Sequence, residues 1–234
     1  EQIAGWKEVT DTVHEKKSFI FCQLWALRRA AFPRVLAKEN NSPLVSASPI
    51  SLSTRPTSVP HALTEPEIKT YIANYAAAAR KAIEAGFDGV EIHSANGYLI
   101  DQFLQEVSNT REDEWGGCIE KRARFAIEIV HAIVQEVGAE RVGIRLSPCC
   151  RTTLWCGEDK DRVFISAGGY TRQTAIETAE EKGGTVAFGR LYIPNVATYD
   201  RATFYIPGDY TGKGYTDFPA VDDVPTDTVP AAKL

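Results

Sequence analysis

The stretch GFDGVEIHSANGYLIDQFLQ, residues 86–105, decides how the rest of the chain is read. Its apolar run predicts a strand over 89–93, and the strand delivers His93, Asn96 and Tyr98 together at its carboxyl end. In a (β/α)8 barrel that end is where active sites are built. His93 and Asn96 can both donate hydrogen bonds, and two donors converging on one carbonyl oxygen stabilise negative charge developing there. Tyr98 is then placed to supply a proton. On residue type alone, a satisfied core histidine, an Asn-Gly turn and a packed tyrosine explain the same three positions.

Working outward, Thr64 predicts a helix N-cap, with Glu67 completing a capping box. Ile68, Ile72, Tyr75, Ala79 and Ile83 form the buried face before Gly86 ends the helix. Downstream, a second helix over 119–137 carries Phe125, Ile129, Ala132 and Ile133 on one face, stops near Gly138, and hands over to a strand over 142–147. Further strands are expected over 163–167 and 185–188 with a helix over 171–182 between them. Upstream, Trp6, Val9 and Val13 recur at helical spacing and lead into a strand over 19–24. This alternation signals an α/β fold with a parallel sheet and crossover helices. Residues 28–63 are rich in Pro, Ser and Asn without periodicity, as in a loop that covers a site. The tail over 196–234 reads as irregular.

The 234 residues, 44% hydrophobic, suffice for one large α/β domain. A net charge of −5 gives no basic stripe for nucleic acid. No apolar run reaches the roughly 20 residues of a membrane span, and the polar first residues do not resemble a signal peptide, so a soluble cytoplasmic protein is expected. Cys22, Cys118, Cys149, Cys150 and Cys156 are odd in number, which argues against a disulfide framework. The spacing of the last three matches no zinc pattern, and no metal is expected. Met is absent even at position 1, which points to a natural start missing from this sequence.

HSANGYLIDQFLQ (93–105), followed by SNTREDEWGG (108–117), CIEKRARF (118–125) and VGIRLSP (142–148), resembles the central signature of the Old Yellow Enzyme family, in block order and separation. FIFCQLWALRRA (19–30) resembles the family's third strand and following loop, and VFISAGGYT (163–171) and VAFGRLYIPN (186–195) resemble its seventh and eighth strands. The wording is most similar to filamentous-fungal members.

The resemblance implies a (β/α)8 TIM barrel of the FMN-linked type in a single partial domain over 1–234, and an FMN-dependent NADPH oxidoreductase that reduces the C=C bond of enones or enals. Under it, His93 and Asn96 bind the substrate's electron-withdrawing group and Tyr98 protonates the α-carbon. Gln23 bonds the flavin pyrimidine, and Arg145 sits by the anionic edge of the reduced ring. A charged residue inside the apolar run VGIRLS is otherwise expected to find a buried partner. Gly168 and Gly169 before a helix, with Gly189 and Arg190 after the next strand, suit a phosphate. Trp25 and Tyr205 would line the substrate pocket, with ordinary packing as the other reading.

Three barrel strands, equivalent to the first, second and sixth, are not found. Such a chain would expose strand edges that a homodimer or another partner would cover, so a non-catalytic remnant acting through protein partners is the alternative. A different phosphate-binding barrel would need a lysine or paired carboxylates at strand ends, and Glu91 has no such partner in sequence. The family often has glycine where Arg28 or Arg29 stands, tyrosine at Trp115 and asparagine at Lys121.

Overall fold

The computed structural model describes residues 1–38, 41–147, 165–167, 170–182 and 185–188. Packing divides the chain into two compact units, Glu1–Thr153 and Leu154–Leu234. The first unit opens with α1 (Gln2–Glu15), β1 (Phe21–Leu24), a 3-10 turn (Arg28–Ala30), α2 (Pro33–Lys38) and the two-residue strands β2 (Val45–Ser46) and β3 (His61–Ala62). It continues with α3 (Glu65–Glu84), β4 (Gly89–Ser94), α4 (Leu99–Leu104), α5 (Ile119–Val137) and β5 (Val142–Leu146). In the second unit β6 (Ile165–Ala167) pairs in parallel with β7 (Thr185–Ala187), with α6 (Arg172–Lys182) as the intervening helix. No helix among the described residues is long and apolar enough to cross a membrane.

The main sheet runs β1-β4-β5, all parallel. This is the α/β winding that the sequence predicts, and among the described residues its sheet is open rather than closed into a barrel. β4 is central and its alternation fixes the layers. Val90, Ile92 and Ser94 are buried on one face, in a core built with Ile68, Ile72 and Ala79 of α3 and Phe125, Ile129 and Ile133 of α5. The Thr64 capping box forms as expected, the Glu67 carboxylate accepting from the Thr64 N–H at 2.7 Å.

Three local expectations change. On α1 the buried residue is Thr10, while Trp6 and Val9 are exposed. The helix meets the end of α3 at Gly86 (φ +91°), where a Cβ would lie 2.6 Å from Thr10 Oγ1, and that hydroxyl donates to the Ala85 carbonyl at 2.8 Å. On α3 the small Ala82 takes the buried position and Ile83 is half-buried. The stretch from 28 to 63, expected as a loop without periodicity, holds the 3-10 turn, α2 and the paired β2 and β3, and it is pinned. Arg55 donates to the carbonyls of Arg29, Ala30 and Ala31 at 3.3, 2.9 and 2.6 Å, its guanidinium lies over the Phe32 ring, and Arg29 donates to the Ile50 carbonyl.

The segment SNTREDEWGG turns out to be a staple. Arg111 Nη1 donates to the carbonyls of Ala47 and Leu63 at 3.0 and 2.6 Å, while its Nε and Nη2 grip the Asp113 carboxylate. Buried Asn109 donates to the carbonyls of Phe103 and Trp115, both at 2.8 Å. Trp115 is buried beside Phe125, and Lys69 and Arg124 lie over its ring.

Arg111→Ala strands two carbonyls and is expected to cost about 2–4 kcal/mol in denaturant unfolding. The hydrogen bonds from Arg111 hold the Asp113 carboxyl below the usual carboxylate range. A lowered folded-state pKa contributes stability that is complete above the unfolded value, about 3.9, and lost as pH falls through the folded one. The acid limb of the stability profile should therefore be shallower in Arg111→Ala. Arg28 adopts φ +50°, a left-handed conformation suited to glycine, and its guanidinium stacks over the Tyr71 ring at 4.5 Å. Arg28→Ala loses the stacking and keeps the strain, so it should be less stable than Arg28→Gly by about 1 kcal/mol.

Candidate active site

Parallel in-register pairing brings same-face side chains of neighbouring strands together. Gln23 stands opposite Glu91, Glu91 opposite Gly143, and His93 opposite Arg145. Gln23, Glu91, His93 and Arg145 therefore share the sheet face turned away from the helices, toward the carboxyl end. Gln23 Nε2 donates to the Glu91 carboxylate at 2.5 Å, so the partner that Glu91 lacks in sequence is an amide on the adjacent strand.

Trp25, at the end of β1, joins two of the expected catalytic side chains. Its indole stacks on the His93 ring with centroids 6.2 Å apart and meets the Tyr98 ring edge-on at 4.9 Å. His93 and Tyr98 meet at 90° with centroids 5.0 Å apart. His93 is buried, and its Nδ1 has no hydrogen-bond partner. Burial, followed by the charge of Arg145, pushes its pKa below the ordinary imidazole value. Near neutrality the ring is uncharged, with one nitrogen donating and the other accepting.

Asn96 sits on an exposed turn next to this cluster, with φ +58°, and Gly97 follows at φ +76°. The Asn96 N–H donates to Ser147 Oγ at 2.8 Å, which ties the turn to the end of β5. The site therefore unites His93, Tyr98 and Trp25, with Asn96 at its rim and Gln23 and Arg145 on the same sheet face. Gly168, Gly169, Gly189, Arg190 and Tyr205 lie outside the described residues. Arg145 differs from its sequence expectation: it is exposed and has no carboxylate partner among the described residues. β5 is an outer strand of the sheet, and its far edge pairs with no strand among the described residues. Asp101, Gln102 and Ser147, which bond the turn, are the positions that motif reading missed. An acid and an amide three and four residues beyond Tyr98 are the trace that the first two leave in sequence.

Residues 1–159 match the family model described as NADH:flavin oxidoreductase / NADH oxidase. The chain belongs to that family. It is 41% identical over 281 aligned positions to a chanoclavine-I aldehyde reductase of Penicillium roqueforti, covering 93% of this chain and 75% of that one. It is 37% identical over 305 positions to a probable inactive reductase of Epichloe festucae var. lolii, covering all of this chain and 79% of that one. Over 148 positions it is 53% identical to an NADP-dependent oxidoreductase of Aspergillus flavus, covering 63% of this chain and 39% of the relative. The first two alignments exceed 234 positions, so those relatives carry internal residues without counterparts here. The expected kinship with the Old Yellow Enzyme family, and with fungal members in particular, is borne out.

A flavin oxidoreductase implies FMN, and the residues present suit its ring. A carboxylate only accepts, so Glu91 turns Gln23 Nε2 toward itself and leaves Oε1 to accept from an imide N–H. Arg145, beside His93, is a cation without an acidic partner among the described residues, and its charge suits an electron-rich ring edge. The orphaned His93 Nδ1 fits a site completed by a ligand, because a buried unpaired nitrogen otherwise costs about 1–3 kcal/mol.

In a proton NMR titration, the His93 imidazole should titrate below the ordinary histidine value of about 6.5. Arg145→Gln should move its midpoint upward, since the guanidinium is the second cause of the depression.

Proposed function

We propose that the chain is an FMN-dependent, NADPH-consuming ene-reductase that reduces the C=C bond of α,β-unsaturated aldehydes and ketones. The observation that carries this reading is the buried His93, with its orphaned Nδ1, set edge-on to Tyr98 under the Trp25 indole. The relatives named as an aldehyde reductase and an NADP-dependent oxidoreductase support it.

His93 and Asn96 donate to the substrate carbonyl oxygen and draw electron density from the conjugated alkene. A neutral imidazole suits that task, since it donates without holding a full charge in a dry pocket. FMN held by Gln23 and Arg145 would supply the hydride chemistry that links NADPH to the β-carbon of the substrate. Tyr98 delivers its phenolic proton to the α-carbon. Trp25 walls the pocket, which NADPH and the enone occupy in turn, in ping-pong order. Gln23 holds the flavin imide edge and Arg145 the edge that becomes electron-rich. Gly168, Gly169, Gly189 and Arg190 are assigned to the FMN phosphate, and Tyr205 to the substrate, on the family resemblance alone, since all five lie outside the described residues.

A second reading rests on the open sheet. Phe21, Ile144 and Leu146 are 52%, 44% and 57% exposed on the outer strands, and one relative is named as probably inactive. In that reading the chain is a remnant whose strand edges are covered by a second copy or another protein.

The purified chain, incubated with FMN and desalted, should keep a visible flavin band that bleaches anaerobically with NADPH and returns on adding an enone. Tyr98→Phe should slow the return by about 10²- to 10⁴-fold and leave the bleaching unchanged. A colourless protein would overturn the enzyme reading in favour of the remnant.

A further inference from the structure

Gly97 lies at the apex of the turn between Asn96 and Tyr98, and both of its backbone polar groups are held by side chains of α4. Its N–H donates to Asp101 Oδ2 at 2.7 Å, and its carbonyl accepts from Gln102 Nε2 at 2.8 Å. Asp101 and Gln102 are buried, and most of their bonding capacity is used. Asp101 Oδ1 accepts from Gln105 Nε2 at 3.0 Å, Gln102 Oε1 accepts from Ser46 Oγ at 2.9 Å, and Gln102 Nε2 also reaches the Leu27 carbonyl at 3.4 Å. The Gln102 amide cannot be turned over, since a hydroxyl donor faces its oxygen and two carbonyls face its nitrogen.

The arrangement joins three segments that bear the site. Leu27 lies two residues beyond Trp25, Gly97 is flanked by Asn96 and Tyr98, and Ser46 is on β2. The Leu99 N–H also donates to the Ala26 carbonyl at 3.0 Å, a second tie between the start of α4 and the segment after Trp25. The left-handed conformation of Asn96 is disfavoured for a residue with a Cβ and persists only where its surroundings impose it. Asp101 and Gln102 supply that imposition from one side and Ser147 from the other.

We propose that Asp101 and Gln102 are positioning residues: by clamping the N–H and C=O of Gly97, they set the Tyr98 hydroxyl and the Asn96 amide against His93. The inference rests on the ene-reductase reading of the site and assigns the work of orienting its proton donor to α4. Asp101 acts through an accepted hydrogen bond, so Asp101→Asn, which keeps an oxygen for the Gly97 N–H, should preserve the clamp, whereas Asp101→Leu should release it. Gln102→Glu keeps the acceptor for Ser46 but has no donor for the Gly97 and Leu27 carbonyls.

The test uses the full chain loaded with FMN, in anaerobic stopped flow, with NADPH for flavin reduction and 2-cyclohexenone for reoxidation. Hydrogen exchange at the Gly97 amide is the readout independent of turnover. Asp101→Leu should lose protection at Gly97 and slow reoxidation by about 10- to 100-fold, the scale of a misplacement near 1 Å, while reduction changes by less than about threefold. Asp101→Asn should stay close to the parent in both, and Gln102→Glu should be slow in reoxidation. In a Tyr98→Phe background the cost of Asp101→Leu should shrink to the part carried through Asn96, because the Tyr98 hydroxyl is no longer there to position.

Unchanged reoxidation in folded Asp101→Leu, equal slowing in Asp101→Asn and Asp101→Leu, or an undiminished cost in the Tyr98→Phe background would each overturn the inference while leaving the enzyme reading intact. If Asp101→Leu does not fold, Gln102→Glu decides, and parent-like reoxidation in it overturns the clamp. Failure of the parent chain to retain FMN would overturn the enzyme reading, and this inference with it.

Discussion

The two-sided pairing of β4 is the constraint from which the rest follows. With β1 on one edge and β5 on the other, its register is fixed at Gln23–Glu91 and at His93–Arg145. A slip of one residue would turn Val90 and Ile92 away from α3 and α5 and put Glu91 and His93 into the core. The apolar packing on one face thus enforces the polar grouping on the other, and the cost of misplacing the site is the cost of unpacking the core.

Around that strand, two kinds of polar side chain stand in contrast. Arg55, Asn109 and Arg111 are occupied by backbone carbonyls and keep irregular chain in place. His93 Nδ1 is left without a hydrogen-bond partner and Arg145 without a carboxylate among the described residues, and the two stand at paired positions. Much of the sequence resemblance downstream of β4 belongs to the first kind. SNTREDEWGG staples α4 and the loop before α3, and among the described residues it brings no group to the Trp25–His93–Tyr98 cluster.

The long amphipathic elements were legible in the sequence. α5 starts and stops where its periodicity and Gly138 place it, and the capping box of α3 forms as read. α4 was not legible: Leu99, Ile100, Asp101, Gln102 and Phe103 are all buried, so the helix has no polar face and no 3.6-residue pattern to detect. The buried residue of α1 escaped for a related reason, since a close approach at Gly86 selects the small hydroxyl of Thr10 over the larger apolar residues beside it. At the site, the strand-end residues His93, Tyr98 and Gln23 were found from motif and resemblance. Their neighbours Asp101, Gln102 and Ser147 bond to backbone atoms, and a main-chain partner leaves no mark on a motif. The exposure of Arg145 depends on how far the sheet extends past β5, which local sequence does not encode.

The Arg55 strap has a consequence for how the chain can be recombined. Its guanidinium closes the segment from Arg29 to Ala31 against a point more than twenty residues later, and Arg29 returns the tie to Ile50. The stretch between β1 and α3 is therefore a single inheritable module with matched ends. A chimera that exchanged only its middle with a relative would keep the strap, whereas a single crossover between positions 31 and 55 would take the donor and its acceptors from different parents. Diversity around the pocket is best sampled by moving the whole interval, together with the residue that buckles it.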